Sequence, residues 1–365
     1  MLRSSGRHFS LMFKLFPQSR RALARLATTC IFLAALLDAS GCAALFGVKR
    51  TVAVPPLLTP LAEANTSQLI AEVNRATSVR AIKGKVDIQF QDTSFAESGL
   101  AEKYRTAEGT LILQRPGQIF LLIQGPFGVD IAQMASDGEH FRVAVLKGDE
   151  KYKRFVKGTN NAVYPKLEMD KEKDTKGEGK KKKTMSDDHA VSVLSNLRPQ
   201  HFTDALMMRP VSPRAESGYL YTQSEFYEEE TDARVRASKG ARIVRGYYLL
   251  DEIEPGGESG AKLLRRFWFD RVGGIRLARL QTFNREGALV TDISYAEPKA
   301  FGEGGSVQMP SRVELTRPQD HYKLSLTYQM PEAVIINGTY SPEIFVFDNK
   351  WQLPEEDLDA RRVKQ

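Results

Sequence analysis

Cysteine is nearly absent from this 365-residue chain: Cys30 and Cys42 are the only two, both close to the N-terminus. A disulfide framework is excluded for everything after them, so the body must be held by its own apolar core. Long hydrophobic runs are missing too. The apolar stretch Ile31–Leu37 is far shorter than the roughly 20 residues a spanning helix needs, and no second stretch is long enough. Histidine is scarce. After position 42 there are His140, His189, His201 and His321, none at a metal-ligand spacing, and each reads as a turn or surface residue. The chain has no Cys/His pair, no GxSxG elbow and no glycine-rich phosphate loop ahead of a helix. Its acids sit in turns, in one charged insert or on the wet faces of strands. With no constellation to carry chemistry, the sequence predicts no enzyme, no cofactor and no metal.

What is present begins at the N-terminus. Arg3, Arg7, Lys14, Arg20, Arg21 and Arg25 precede the apolar run, and Ala39, Ser40 and Gly41 lead into Cys42. A basic start, a short apolar middle and small residues at the cut are the marks of a signal peptide. With a cysteine directly after them, the segment resembles a bacterial lipoprotein signal, although Ala39 stands where leucine is usual. That resemblance implies that residues 1–41 are removed and that Cys42 is the lipidation site. Met12 is an alternative start. Ala43, rather than aspartate, follows the cysteine; by analogy with sorting signals this places the chain on the periplasmic face of the outer membrane.

Charge follows the same division. Residues 1–41 hold six of the 52 Lys/Arg and one of the 45 Asp/Glu, which leaves 46 against 44 and turns a net +7 into +2. The basicity belongs largely to the signal, and nucleic acid is not an expected partner.

Residues 42–65 carry Pro55, Pro56 and Pro60 and read as a tether. A helix follows, with Asn65, Thr66 and Ser67 as N-cap candidates and Leu69, Ile70, Val73 and Ala76 on one face. From Ile82 the period drops to two, and short alternating segments succeed one another with turn residues between them, as at Asp137-Gly138 and Gly148-Asp149. No crossover helix fits, so the strands form an antiparallel meander. Residues 166–188 contain eight Lys and seven acids in 23 positions and read as a disordered insert. Pro199 opens a second helix through Phe202, Ala205 and Leu206. Tyr227–Lys239 reads as a polar loop, and a second meander runs from Ala241 to about Phe347. Residues 66–350 form one domain, and 351–365 a tail.

Several blocks in order resemble the LolA/LolB-like superfamily of lipoprotein carriers and receptors. They are Ile82-Lys83-Gly84-Lys85-Val86, Leu113-Gln114-Arg115-Pro116, Gly125-Pro126-Phe127-Gly128, Pro310 to Leu315, and Ile336-Asn337 with Ile344-Phe345. The resemblance implies a mainly β fold with a few helices: a curved antiparallel half-barrel of about eleven strands whose concave face is plugged by helices. It implies an apolar cavity for the acyl chains of a lipid or lipoprotein, in a receptor or carrier. Phe90, Leu111, Leu113, Phe120, Leu122 and Phe127 are the expected lining. The membrane, through the N-terminal lipid, and a periplasmic protein complete the expected partners. The rival expectation is a non-catalytic envelope sensor or assembly lipoprotein whose core is filled by its own side chains. Strand Gln118–Gln124 is apolar on both faces, which predicts that both are covered.

Overall fold

Alternation from Ile82 builds β1 (Ala81–Asp92), with Val86, Ile88 and Phe90 buried on one face. The computed structural model describes residues 54–93, 102–103, 106–148, 150–160, 162, 164, 197–212, 218–232, 241–256, 260–305 and 307–362. Ahead of β1, α1 (Thr66–Ala76) starts at a reciprocal cap. The Asn65 side chain accepts from the Gln68 N–H at 3.0 Å, and the Gln68 side chain accepts from the Asn65 N–H at 2.9 Å. Leu69 and Val73 turn inward and are fully buried.

A first meander follows: β2 (Glu102–Lys103), β3 (Ala107–Gln114), β4 (Gln118–Gln124), β5 (Asp130–Ser136), β6 (His140–Val145) and β7 (Arg154–Thr159). Then α2 (Pro199–Leu206) leads to the second: β8 (Leu220–Thr231), β9 (Arg242–Glu254), β10 (Lys262–Asp270), β11 (Arg276–Phe283), β12 (Leu289–Phe301), β13 (Val307–Arg317) and β14 (Tyr322–Tyr328). The chain closes with β15 (Ile335–Ile336), β16 (Glu355–Asp357) and α3 (Leu358–Arg362).

These strands make one sheet, ordered β16-β7-β6-β5-β4-β3-β1-β14-β13-β12-β11-β10-β9-β8, with β2 and β15 pairing β1 beside that path. Every pairing is antiparallel except β16 on β7. Here the structure corrects the expected half-barrel of eleven strands. The sheet has sixteen strands, is open and is not strongly curled. Closure requires the two edge strands to meet in register. In this chain β1 lies in the middle, pairs β3 on one side and β14 on the other, and the two meanders grow away from it in opposite directions. Their ends, β16 and β8, share no rung. The helices lie against one face instead of plugging a barrel. The strand number exceeds the expectation partly because Tyr227–Thr231, read as loop, continues β8, and the tail supplies β16.

The two-sided apolar character of β4 is explained. Ile119, Leu121 and Ile123 join the main core with Leu111 and Leu113. The 3-10 turn Pro342–Phe345, whose Phe345 is fully buried, packs against β4 and β5, and farther along the sheet Phe347 meets Phe155 of β7 edge-on at 5.7 Å.

Part of the expected tether is docked. Val244 donates its N–H to Pro56 at 2.9 Å, Leu58 donates to the Val244 carbonyl at 2.9 Å, and Ala62 donates to the Arg271 carbonyl at 2.8 Å. The buried Arg271 guanidinium pairs with Glu63 at 2.6 Å and Glu225 at 2.9 Å, and lies 4.2 Å from the centre of the Tyr248 ring. Burial acts against that charge, but its two carboxylate partners hold the Arg271 pKa above the ordinary value.

The histidines divide. His140 and His321 are exposed, as expected, while His189 lies outside the described residues. His201 instead sits within the body, its Nδ1 2.5 Å from the Tyr322 hydroxyl. Burial, reinforced by Arg317 and Arg198, holds its pKa well below the usual value.

The insert 166–188 also lies outside the described residues. Its composition offers almost no apolar surface, and loop-closure entropy varies slowly with length. Its deletion is expected to change stability by no more than about 0.5 kcal/mol, as for a neutral surface change. A thermal melt of the deletion variant checks this, and a collapsed transition would mean the segment is an ordered part of the body.

Candidate functional site

Rungs between β11 and β12 run from Phe283–Leu289 to Arg279–Ser294 and stop there. Beyond Ser294, β12 continues to Phe301 paired with β13 alone. At that point β11 carries a register shift against β10, where Trp268 pairs Arg279 and Phe269 pairs Leu277. Farther along β12, Pro298 has no N–H to give, and Glu297 before it adopts a left-handed φ of 53°. The Glu297 carbonyl is taken instead by the Ser311 hydroxyl at 2.8 Å. On the other strand, the turn Gly273-Gly274 holds φ values of 72° and 124° and aims the start of β11. Between the diverging strands lies a cleft of about 1220 Å³.

Its roof is α1 and the segment after α2. That segment is held from three sides. Arg115, from the Arg-Pro block, donates to the carbonyls of Val79 at 2.9 Å, Met207 at 3.2 Å and Met208 at 3.0 Å. Asn74 of α1 exchanges two hydrogen bonds with the backbone of Val211, at 3.0 and 2.9 Å. Arg265 donates to the carbonyls of Arg209 at 2.8 Å and Pro210 at 3.3 Å. Leu206 and Met208 are thereby set as cleft wall. The rest of the apolar wall includes Trp268, Leu277, Tyr295, Met309, Val313 and Tyr328. By register, Leu277, Tyr295 and Val313 belong to the core face and Trp268 to the opposite one, so the cleft reaches both faces where the rungs stop.

The arginines at the cleft are paired. Arg75 meets Glu72 at 2.7 Å, Arg245 meets Glu230 at 3.2 Å and Asp270 at 2.8 Å, Arg276 meets Asp270 at 3.2 Å, and Arg279 holds Asp292. Hydrogen bonding to Glu72 raises the Arg75 pKa, and Asp292 does the same for Arg279. Two of the three cleft tyrosines are also satisfied: Tyr247 donates to Glu230, and Tyr295 donates to the Ala205 carbonyl at 2.9 Å. Burial raises the pKa of both phenols. Such a cleft can hold a molecule with an apolar body. Among the described residues no group of His, Cys, Asp and Glu is placed to hold a metal ion.

The residues named from the sequence lie elsewhere. Phe90, Leu111 and Leu113 are in the packed core, with Phe90 5.6 Å from the Tyr322 ring. Phe120 and Leu122 are half-buried on the face opposite that core. Phe127 is fully exposed in a turn at φ 64°. None of the six lines the cleft. Cys42 lies outside the described residues. The signal that could have found the cleft is a proline inside an alternating strand, Pro298, opposite a strand entered through two glycines.

No family model and no curated protein matches the chain. Solved structures similar to it include the following three. One is a DUF1329 family protein from Desulfovibrio piger, at 9% identity, covering 76% of this chain and 95% of that one, with a TM-score of 0.40. Another is the LolA superfamily protein NE2245 from Nitrosomonas europaea, at 11% identity, 78% and 99% coverage, TM-score 0.38. The third is a domain assigned as a lipoprotein-sorting protein of the outer membrane from Vibrio parahaemolyticus, at 12% identity, 79% and 99% coverage, TM-score 0.39. At these values no family, residue role or ligand passes from them to this chain.

Proposed function

We propose that this is a lipid-anchored protein of the bacterial envelope that handles a lipid, or the acyl part of a lipoprotein, without catalysis. The observation that carries this reading is the 1220 Å³ cleft between β11 and β12, walled by Met208, Leu277, Met309 and Val313 beneath α1. Its volume exceeds the roughly 300–1,000 Å³ of ordinary small-molecule sites. A cleft lined in this way buries hydrocarbon, at about 0.8 kcal/mol per methylene. Transfer then runs on differences in burial between the cleft and a bilayer, and no bond need be made or broken. Acylation of Cys42, placement at the outer membrane and a role as receptor or carrier complete the proposal.

The full chain, extracted from membranes in mild detergent, is expected to carry acyl lipid in native mass spectrometry beyond the mass of its own anchor. The proteolytically released body should keep that lipid. A body that is consistently lipid-free would overturn the reading. A stable protein partner in its place would support the interaction lipoprotein instead. The open edge strand β8, with Phe226 and Tyr227 40% and 47% exposed, is the feature that favours that second reading.

A further inference from the structure

Among the described residues, one buried polar side-chain group of the cleft wall has nothing to bind. Tyr328 is 2% exposed and lines the cleft, and its hydroxyl has no hydrogen-bond partner among the described residues. The other two cleft tyrosines are both paired, with Glu230 and with the Ala205 carbonyl. Tyr328 is held in place by an edge-on contact with Phe301 at 5.1 Å. A buried, fixed and unpaired donor in a cleft wall is expensive to keep unless something brings it an acceptor.

The surroundings restrict that acceptor. Among the described residues, all four arginines of the cleft wall already hold carboxylates, and none of them is a free cation for a carboxylate or phosphate. An anion there would be buried without a counter-charge. A neutral carbonyl meets no such penalty. Burial raises the phenol's pKa, which keeps it protonated and able to donate.

Resting on the lipid-handling reading above, we propose that Tyr328 donates a hydrogen bond to the carbonyl of a neutral, ester-linked acyl group. The cleft then selects acylglycerol-type ligands over free fatty acids and over bare hydrocarbon.

The test uses the full chain and three probes, read by tryptophan emission, since Trp268 lines the cleft. The probes are 1,2-dioctanoylglycerol, its diether analogue 1,2-dioctylglycerol, and octanoate. The ester is expected to bind about tenfold more tightly than the diether, the size of one hydrogen bond, and octanoate more weakly than the ester. Tyr328→Phe is expected to lose that advantage, to bind the diether as before, and to melt at or above the temperature of the parent. A peptide carrying the same diacylglyceryl group distinguishes the sources: tighter binding than the free diacylglycerol assigns an acylated protein, and equal binding assigns a free lipid. If Tyr328→Phe binds the ester as tightly as the parent, or if the diether equals the ester on the parent, the subsite is overturned while the lipid reading stands. If the parent binds none of the probes, both fall.

Discussion

Replacing Arg265 by leucine is expected to destabilise the protein by about 3–5 kcal/mol, the cost of leaving a buried carboxylate without its partner. Arg265 and Glu252 are among the few charged side chains in the core, 8% and 3% exposed. Besides the close pairing through Nε, the guanidinium donates to Glu252 at 2.9 Å and to the carbonyls of Arg209 and Pro210. Tyr221 adds a hydrogen bond to Glu252 at 3.2 Å. The pair therefore joins β9, β10 and the segment that roofs the cleft. For a body this size the melting temperature should fall on the order of 10 °C. The double variant Arg265→Met/Glu252→Leu should recover most of the loss, because it removes the orphaned charge. A double-mutant cycle by thermal or denaturant unfolding measures the coupling. If the single and double variants are equally unstable, the loss comes from the roof carbonyls and not from the charge.

Cys42→Ala is expected to move the protein from the membrane pellet to the soluble periplasmic fraction without altering its fold. The motivation is that no other stretch of the sequence is long enough to span a bilayer. Acyl chains hold through burial of methylenes at about 0.8 kcal/mol each, so removing the attachment point removes nearly all of the membrane affinity. The body begins at residue 55 and does not include the cysteine. Fractionation with a high-salt wash checks this, and a variant that stays in the pellet would show that the anchor lies elsewhere.

Local structure was legible where one physical signal dominated. Asn65, among the cap candidates, marked the start of α1, Pro199 the start of α2, and β4 and β10 ran to the residues that alternation indicated. Global shape was not legible. Whether a sheet closes depends on which strands meet at its edges, and alternation carries no information about partners. Nothing local in β1 says that it pairs β14, more than 200 residues away. The cleft was not legible for a related reason. Leu111 and Leu113 are as apolar as any cleft residue, but apolarity cannot distinguish a side chain packed by neighbours from one facing a gap. The gap comes from missing rungs, and only Pro298 and the Gly273-Gly274 turn hint at it. The Arg115-Pro116 block was noticed as a pattern; its physical role, three carbonyls on one guanidinium, emerged from the fold.

Docking of residues 56–62 along β9 and the end of β10 has a consequence for where the protein can work. On the reading proposed above, in which Cys42 carries the lipid, the dozen residues 43–54 separate the anchor from the body. At full extension they reach roughly 40 Å. The pinned segment also ends beside the cleft, since Glu63 and Ala64 share a smaller pocket with Glu72, Arg75 and Ile275 of the cleft wall. On that reading, a tether of this length keeps the cleft at an effective concentration on the order of millimolar relative to its own leaflet. Exchange with the membrane beneath becomes an intramolecular event, while a ligand from the opposite membrane has to be carried to it.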